Sequence, residues 1–342
     1  MSRHRGPAGT PTHQPPSRQA RAALLAAFLL CPLLGAMAGP AAAAPHATAL
    51  VELRLTGAGR LSIAFRGGSD SFENASGGSR DLGGFNLAPG TVVTLTATTP
   101  LGQEFLGWDV AGVYRNWAPT LTFTVTGDVL VGATFQARPA FSDVPPFPSN
   151  DAIFHLAGHN FVRGYGDGTF GPRDPILRAQ MAALITRAMS WQDQRYPATF
   201  TDRCIPTACV DDELWVDVNI LAFHNVVRGY DQATFAPFDP VSTVQMVSVV
   251  TRAMVARGYW ANQPERADLY PNVPAPSGHR QDLATYIHYA GALPVADQPY
   301  SDPLPGWDQP TARATFADVF WLALDRTLSR PESRYFPDAP LP

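Results

Sequence analysis

Arg178 and Arg313 stand 135 positions apart in this chain, each beside an alanine and just ahead of a run of periodic apolar residues. A helix start presents free backbone N–H groups and the positive end of the helix dipole, and a guanidinium in its first turn adds a two-bond grip suited to a carboxylate. From position alone, a surface salt bridge is the default reading of both. Tyr165 and Tyr230 offer rings that stack on a sugar or pack within their turns, and Asp143 either fixes local backbone or touches a ligand. Thr243 occupies the corresponding helix start between them and keeps a hydroxyl without the charge. His155 and His159 lie four apart, as metal-binding histidines can, but the intervening Leu156-Ala157-Gly158 lacks the glutamate a zinc protease needs. Cys204 and Cys209 form a weak metal set and a good candidate disulfide. No nucleophile elbow, phosphate loop or dinucleotide fingerprint occurs, so the expectation is binding without catalysis, with neither cofactor nor metal.

These residues sit inside a duplication. Val162-Arg163-Gly164-Tyr165, Thr169-Phe170 and Pro172 reappear 65 positions later as Val227-Arg228-Gly229-Tyr230, Thr234-Phe235 and Pro237. The same shift carries Thr186-Arg187-Ala188-Met189 onto Thr251-Arg252-Ala253-Met254. A constant offset means that one structural unit was copied. In each copy a turn precedes apolar residues at helical spacing: Met181, Leu184, Ile185 and Ala188, then Met246, Val249, Val250 and Ala253. A third, worn copy is read from Phe316, Val319, Phe320 and Ala323. It lacks the Gly-Tyr turn and has Ala290-Gly291-Ala292-Leu293 and the proline-rich stretch 299–310 instead. An aromatic lead-in announces each copy: Phe141-Ser142-Asp143, Phe200-Thr201-Asp202 and Tyr270-Pro271-Asn272, each followed by a first helix, clearest in Ile153, Leu156 and Ala157. Phe336-Pro337-Asp338 repeats the lead-in once more, as a fourth remnant or a cap.

The lead-in Phe141-Ser142-Asp143-Val144, the turn Gly164-Tyr165-Gly166-Asp167-Gly168-Thr169-Phe170-Gly171-Pro172 and the helix start Leu177-Arg178-Ala179-Gln180 together resemble the S-layer homology family. That resemblance covers residues 141–328, as repeats at 141–195, 200–260 and 270–328. It implies three helical repeats around a pseudo-threefold bundle, with grooves between neighbours that bind acidic cell-wall polysaccharide, for instance one carrying pyruvate ketals. Its binding residues would be Arg178, Arg313, Tyr165, Tyr230, Asp143 and Thr243, with the groove of Thr243 weakened. The family's reciprocal capping box survives in Ser242-Thr243-Val244-Gln245. Leu177 cannot supply the capping hydroxyl, so Asp174 ahead of Pro175 is expected to cap the first copy's helix a turn earlier.

Residues 48–137 carry a two-residue period instead. Val93, Leu95 and Ala97 alternate with threonines, as do Leu121, Phe123 and Val125, and Val129, Val131, Ala133 and Phe135 alternate again, which marks strands with one buried face. Further strands are expected at 51–55 and 61–65, and the Gly- and Ser-rich stretch 67–84 reads as a long loop. Phe105-Leu106-Gly107-Trp108 and the strands ending at Phe135 resemble divergent InlB B-repeats. Trp108, Tyr114 and Trp117 offer a sugar platform or core and loop packing. The proline-rich segment 138–148 reads as a linker, and 329–342 as a tail.

Residues 1–47 look like an export signal: basic Arg3, Arg5, Arg18 and Arg21, an apolar run from Ala22 to Leu34, then small residues. Export places Cys204 and Cys209 in an oxidising compartment, which favours their disulfide. A net charge of −4 gives no electrostatic case for nucleic acid, and the chain has no lysine among its 25 basic residues. The fold class expected is therefore multidomain, a small all-β N-terminal domain followed by a mainly α domain of three repeats. The function expected is a secreted, non-catalytic protein of the cell surface and cell wall, anchored to acidic polysaccharide. The alternative is a secreted scaffold or adhesion protein whose repeats mediate self-association or contact other surface proteins.

Overall fold

The threonine-alternating segments pair into two facing sheets. The computed structural model describes residues 48–110, 113–114, 117–145, 151–265, 277–291 and 308–328. The export-signal reading of 1–47, the third lead-in Tyr270-Pro271-Asn272, Ala292-Leu293, the proline-rich stretch 299–307 and Phe336-Pro337-Asp338 lie outside these residues. The strands are β1 (Ala49–Thr56), β2 (Gly59–Phe65), β3 (Gly68–Asn74), β4 (Ser79–Leu87), β5 (Val92–Thr98), β6 (Gln103–Val110), β7 (Val113–Tyr114), β8 (Thr120–Thr124) and β9 (Val129–Ala137). One sheet runs β4-β1-β9-β6-β7 and the other β3-β2-β5-β8. The β1 and β9 strands pair in parallel, and all other neighbours are antiparallel. The inward set of the period-two pattern, including Val51, Leu53, Leu55, Ile63, Leu95, Val131 and Ala133, forms the core.

The stretch 67–84 is not the loop that its composition suggests. It supplies β3 and the first part of β4, which pair with β2 and β1 on opposite sheets. Both strands lie at sheet edges and expose most of their side chains, so no apolar period marks them. Backbone pairing carries them, with Gly67 and Gly77 at positive φ of 111° and 75° where the chain reverses. Trp108 is fully buried and donates its indole N–H to the Ala118 carbonyl at 2.8 Å, so it is core and not a sugar platform.

The helices are α1 (Asp151–Gly158), α2 (Arg178–Ala188), α3 (Asp212–Phe223), α4 (Thr243–Ala256), α5 (Arg280–Ala290) and α6 (Arg313–Leu328). A two-stranded hairpin, β10 (Cys204–Ile205) and β11 (Ala208–Cys209), precedes α3 and is closed by a Cys204–Cys209 disulfide. The Gln180 and Gln245 side-chain carbonyls accept the Leu177 and Ser242 backbone N–H groups, both at 3.2 Å, which gives α2 and α4 the same glutamine cap. Asp174 does not cap α2 a turn early. Arg178 is that helix's first residue, and the Asp174 side chain instead accepts the Tyr165 hydroxyl at 2.8 Å.

The segments leading into α2, α4 and α6 meet in a closed triangle of backbone hydrogen bonds. Ile176 N–H donates to the Thr311 carbonyl (2.9 Å), Thr311 N–H to Val241 (2.8 Å) and Val241 N–H to Ile176 (2.9 Å). A second ring lies one step outward, where Arg178, Thr243 and Arg313 N–H groups donate to Asp239, Gln309 and Asp174 carbonyls at 3.0, 3.2 and 2.9 Å. The Ile176, Arg178, Val241, Thr243, Thr311 and Arg313 amides at these helix starts thereby find partners in neighbouring segments.

The β part abuts the helices through Glu104 of β6 and Trp117. The Glu104 carboxylate, 5% exposed, accepts from Arg138 Nε at 3.0 Å, pairs with His155 Nδ1 at 2.6 Å and lies 3.8 Å from His159 Nε2. Trp117 stacks on His159 and Trp321 at centroid distances of 4.1 and 5.4 Å, and its backbone N–H donates to the Leu328 carbonyl at 3.2 Å. His155 and His159, four apart on the sequence, are thus packing residues of this junction. Burial lowers the His159 pKa to about 4, against the pull of Glu104.

Candidate functional site

The Gly-Tyr turns of the two clear copies fold alike. Tyr165 N–H donates to the Thr169 carbonyl at 2.6 Å, and Tyr230 N–H to Thr234 at 2.8 Å. A Cβ at Gly164 or Gly229 would sit 2.4 Å from the Thr169 or Thr234 carbonyl oxygen, so closing the turn requires glycine. Asp167 and Asp231 hold the tips through hydrogen bonds to backbone N–H groups two or three residues on. Asp143 accepts from Phe170 and Gly171 N–H at 2.7 and 2.8 Å, and Asp202 accepts from Phe235 and Ala236 N–H at 2.9 and 2.6 Å. The lead-in aspartates are therefore braces for the turn that follows.

Each helix-start arginine reaches into the turn of another copy. Arg178 donates from Nε to the Phe235 carbonyl at 2.7 Å and from Nη2 to the Arg228 carbonyl at 2.8 Å. Its guanidinium lies 4.4 Å from the Phe235 ring centroid and 5.0 Å from that of Tyr230. Arg313 makes the same set one copy away: Phe170 and Arg163 carbonyls at 2.8 and 3.0 Å, with the Phe170 and Tyr165 rings at 4.7 and 4.9 Å. Both arginines are buried, and burial draws their pKa values down. They act first as clasps between copies. Each clasp uses two of the five guanidinium N–H donors, from Nε and Nη2.

Thr243 fits the same scheme by exclusion. By the pattern of the other two helix starts, an arginine there would pair with the third copy's corresponding segment, whose sequence has no Gly-Tyr pair. Helix α5 ends instead at Gly291 in a left-handed conformation (φ 87°). Thr243 is fully buried and its hydroxyl meets that of Thr311 at 3.1 Å, so a small polar pair fills the interface that the clasp leaves vacant.

Two clefts lie between the copies. The second, of about 250 Å³, is bordered by Arg178, Arg228, Tyr230, Gln245, Arg252 and His279. Arg252 is positioned by an ion pair with Asp282 at 2.7 Å, and Ser248 meets His279 Nδ1 at 2.6 Å. Burial and the Arg252 charge lower the His279 pKa, which leaves three arginines as the cations of this cleft. Tyr230 is 60% exposed at its rim. The first cleft, about 660 Å³, carries Arg163 and Arg187 where the second has Arg228 and Arg252, but it does not include Arg313 or Tyr165.

Of the residues singled out from the sequence, the fold brings Arg178 and Tyr230 together at one cleft and Arg313 and Tyr165 together at a clasp. Asp143 and Thr243 border neither cleft. Arg163, Arg187, Arg228 and Arg252 were legible only as markers of the duplication. Two arginine pairs kept at one offset were the signal that could have assigned them. Among the described residues no cluster of three or more acidic, histidine or cysteine side chains could hold a metal ion, and no helix is long and apolar enough to cross a membrane.

Residues 140–182 match the family described as S-layer homology domain, and residues 71–139 match the family described as divergent InlB B-repeat domain. A surface layer protein of Brevibacillus choshinensis is 28% identical over 156 residues, which cover 44% of this chain and 13% of that protein. A middle cell wall protein of Brevibacillus brevis is 26% identical over 137 residues, covering 37% of this chain and 13% of the relative. The match thus spans about an eighth of the length of these curated relatives. The chain carries an S-layer homology domain preceded by a divergent InlB B-repeat domain.

Proposed function

We propose that this is an exported, non-catalytic cell-surface protein of S-layer type, held without covalent bonds to an acidic polysaccharide of the cell wall through its helical repeats. The observation that carries this reading is the second cleft. Arg178, Arg228 and Arg252 converge there beside an exposed tyrosine, and no carboxylate lines the cleft, the ion-pair partner Asp282 of Arg252 lying behind it. A carboxylate-bearing sugar would take two parallel bonds from a guanidinium, and the Tyr230 face would carry the apolar side of a pyranose ring. Arg178 enters already fixed by its two carbonyl bonds, so little side-chain entropy is lost on binding.

The three copies form a pseudo-threefold bundle in this reading. Its support is the closed triangle linking Ile176, Val241 and Thr311. Of the two clasps only that of Arg178 with the second turn borders a cleft, and the worn third copy completes the bundle in this reading. The β part, docked through Glu104 and Trp117, stands as a rigid spacer between the wall and whatever the protein presents outward.

Sedimentation of the protein with purified cell walls tests the proposal. Wild type should pellet with untreated walls but not with walls stripped beforehand of their anionic polysaccharide by acid and returned to neutral pH, and an Arg228→Ala, Arg252→Ala variant should stay in solution with either. Pelleting that survives both treatments would favour a protein-assembly scaffold.

A further inference from the structure

The two clefts have the same arginine pair and opposite surroundings. In the second, Arg252 lies on Asp282, and no carboxylate borders the cleft. In the first, Arg163 and Arg187 face a wall of α3 that presents Asp212, Glu213 and Asp217. Asp212 is already paired with Arg203 at 2.5 Å, and Arg195, the third arginine of this cleft, is tied back to the Gln192 and Gln194 carbonyls at 2.7 Å. That sets three guanidiniums, two of them with donors unspent, against two unpaired carboxylates across an open space of about 660 Å³. Neither Arg163 nor Arg187 forms an ion pair within 4.0 Å among the described residues, and the only side-chain hydrogen bond of Arg187 goes to the Phe161 carbonyl at 3.3 Å. The cleft is therefore equipped with unspent guanidinium donors but carries a smaller net positive charge than the second.

We propose that the first cleft is a conditional second foothold for the same carboxylate-bearing polysaccharide, blocked by the acidic wall of α3 when Glu213 and Asp217 are ionised and opened when Asp217 is neutral. This rests on the glycan reading of the second cleft. Asp217 is half-buried and faces Arg187 from α2, Arg163 from the turn, Arg195 from the loop after α2 and Glu213 from its own helix, with neutral His159 at the far end. Burial, reinforced by Glu213, raises its pKa to about 6 despite Arg187. Its folded pKa lies above the ordinary carboxylate range, so the proton is taken up in the folded protein as pH falls through about 6. A sugar carboxylate, with no such burial, stays ionised there. The two charges of the ligand and the wall then stop repelling, and the anchor gains a grip in mild acid. Removal of one like charge at about 7 Å in an effective dielectric of about 40 strengthens binding about tenfold.

The experiment is calorimetric titration of the full chain with an oligogalacturonate probe at about pH 7.5 and about pH 5. Wild type should bind one equivalent at the higher pH and two at the lower. Glu213→Gln with Asp217→Asn should bind two at both, because the wall is neutral throughout. Arg163→Ala, at an exposed position that leaves the core intact, should lose only the second equivalent, and Arg228→Ala only the first. One equivalent at both pH values in wild type, or a second equivalent that survives Arg163→Ala, overturns the conditional site. Binding in no arm overturns the glycan reading itself, and with it this inference.

Discussion

Replacing Arg178 by alanine separates the two jobs assigned to this side chain, provided Arg313→Ala is made beside it. Arg178 donates two hydrogen bonds to neighbouring-copy carbonyls, at 2.7 and 2.8 Å, and covers two aromatic rings. Hydrogen bonds from a charged group are worth about 1.5–3 kcal/mol each, and the aromatic contact adds about 1 kcal/mol, so a loss of about 4–7 kcal/mol is expected. For a domain of this size that is a fall of about 10 °C in Tm. Arg313 makes the same bonds to Phe170 and Arg163 and should cost the same. Only Arg178, however, borders the second cleft. In wall sedimentation Arg178→Ala should therefore bind about 10–100-fold more weakly, the value of one carboxylate pair, and Arg313→Ala should bind as wild type at a temperature where both are folded. Urea denaturation measures the first effect and sedimentation the second. A stability loss under about 1 kcal/mol for either variant would refute the clasp. Equal loss of wall binding in both would refute the assignment of the ligand to the second cleft.

Three further outcomes follow from the same geometry. His159 stays neutral in the folded protein with a pKa of about 4, while the unfolded chain takes up a proton below about 6.5, so stability should fall by about 3 kcal/mol as pH drops from about 6.5 to 4. In His159→Gln that slope should vanish in denaturation curves taken across the window. Trp117→Ala removes the stack on His159 and Trp321 and should cost about 3 kcal/mol at the junction, read as protease cleavage between the β part and the helices with each part still folded. Thr243→Arg should destabilise by about 3–5 kcal/mol, although it restores the residue of the other two copies, because the buried guanidinium finds no Gly-Tyr turn to hold it; an unchanged midpoint would show that the third interface already has room and acceptors.

Much of this fold was legible because its signals are periodic. Period-two alternation placed β1, β2, β5, β8 and β9, and helical spacing placed α2, α4 and α6, since each pattern records one face turned to a core. The hairpin of β3 and β4 was not legible, because edge strands with exposed side chains owe their pairing to backbone bonds that leave no mark on residue type. The site was half legible. Arg178, Arg313 and the two tyrosines could be named from the motif, but not the partner of each, because a clasp that leaps from one copy to the next joins residues 57 and 143 positions apart. The expectation that Asp174 caps α2 failed for a related reason: neighbouring segments and the Gln180 side chain take up the amides at the start of α2, which leaves Asp174 to hold the Tyr165 hydroxyl.

The jump of each arginine to another copy also explains why the copies have worn unevenly. The third copy lacks the Gly-Tyr turn, and the second lacks the helix-start arginine. Taken copy by copy these are two unrelated defects. In the fold they are one, because Thr243 stands where an arginine would point at the turn that is missing. A guanidinium kept there would be a buried cation without acceptors, and a turn kept without it would leave two carbonyls and two aromatic faces uncovered. Loss of either member therefore removes the reason to retain the other. The two intact clasps, Arg178 with the second turn and Arg313 with the first, persist as complete units. The clefts that could hold a polysaccharide are products of the interfaces between copies.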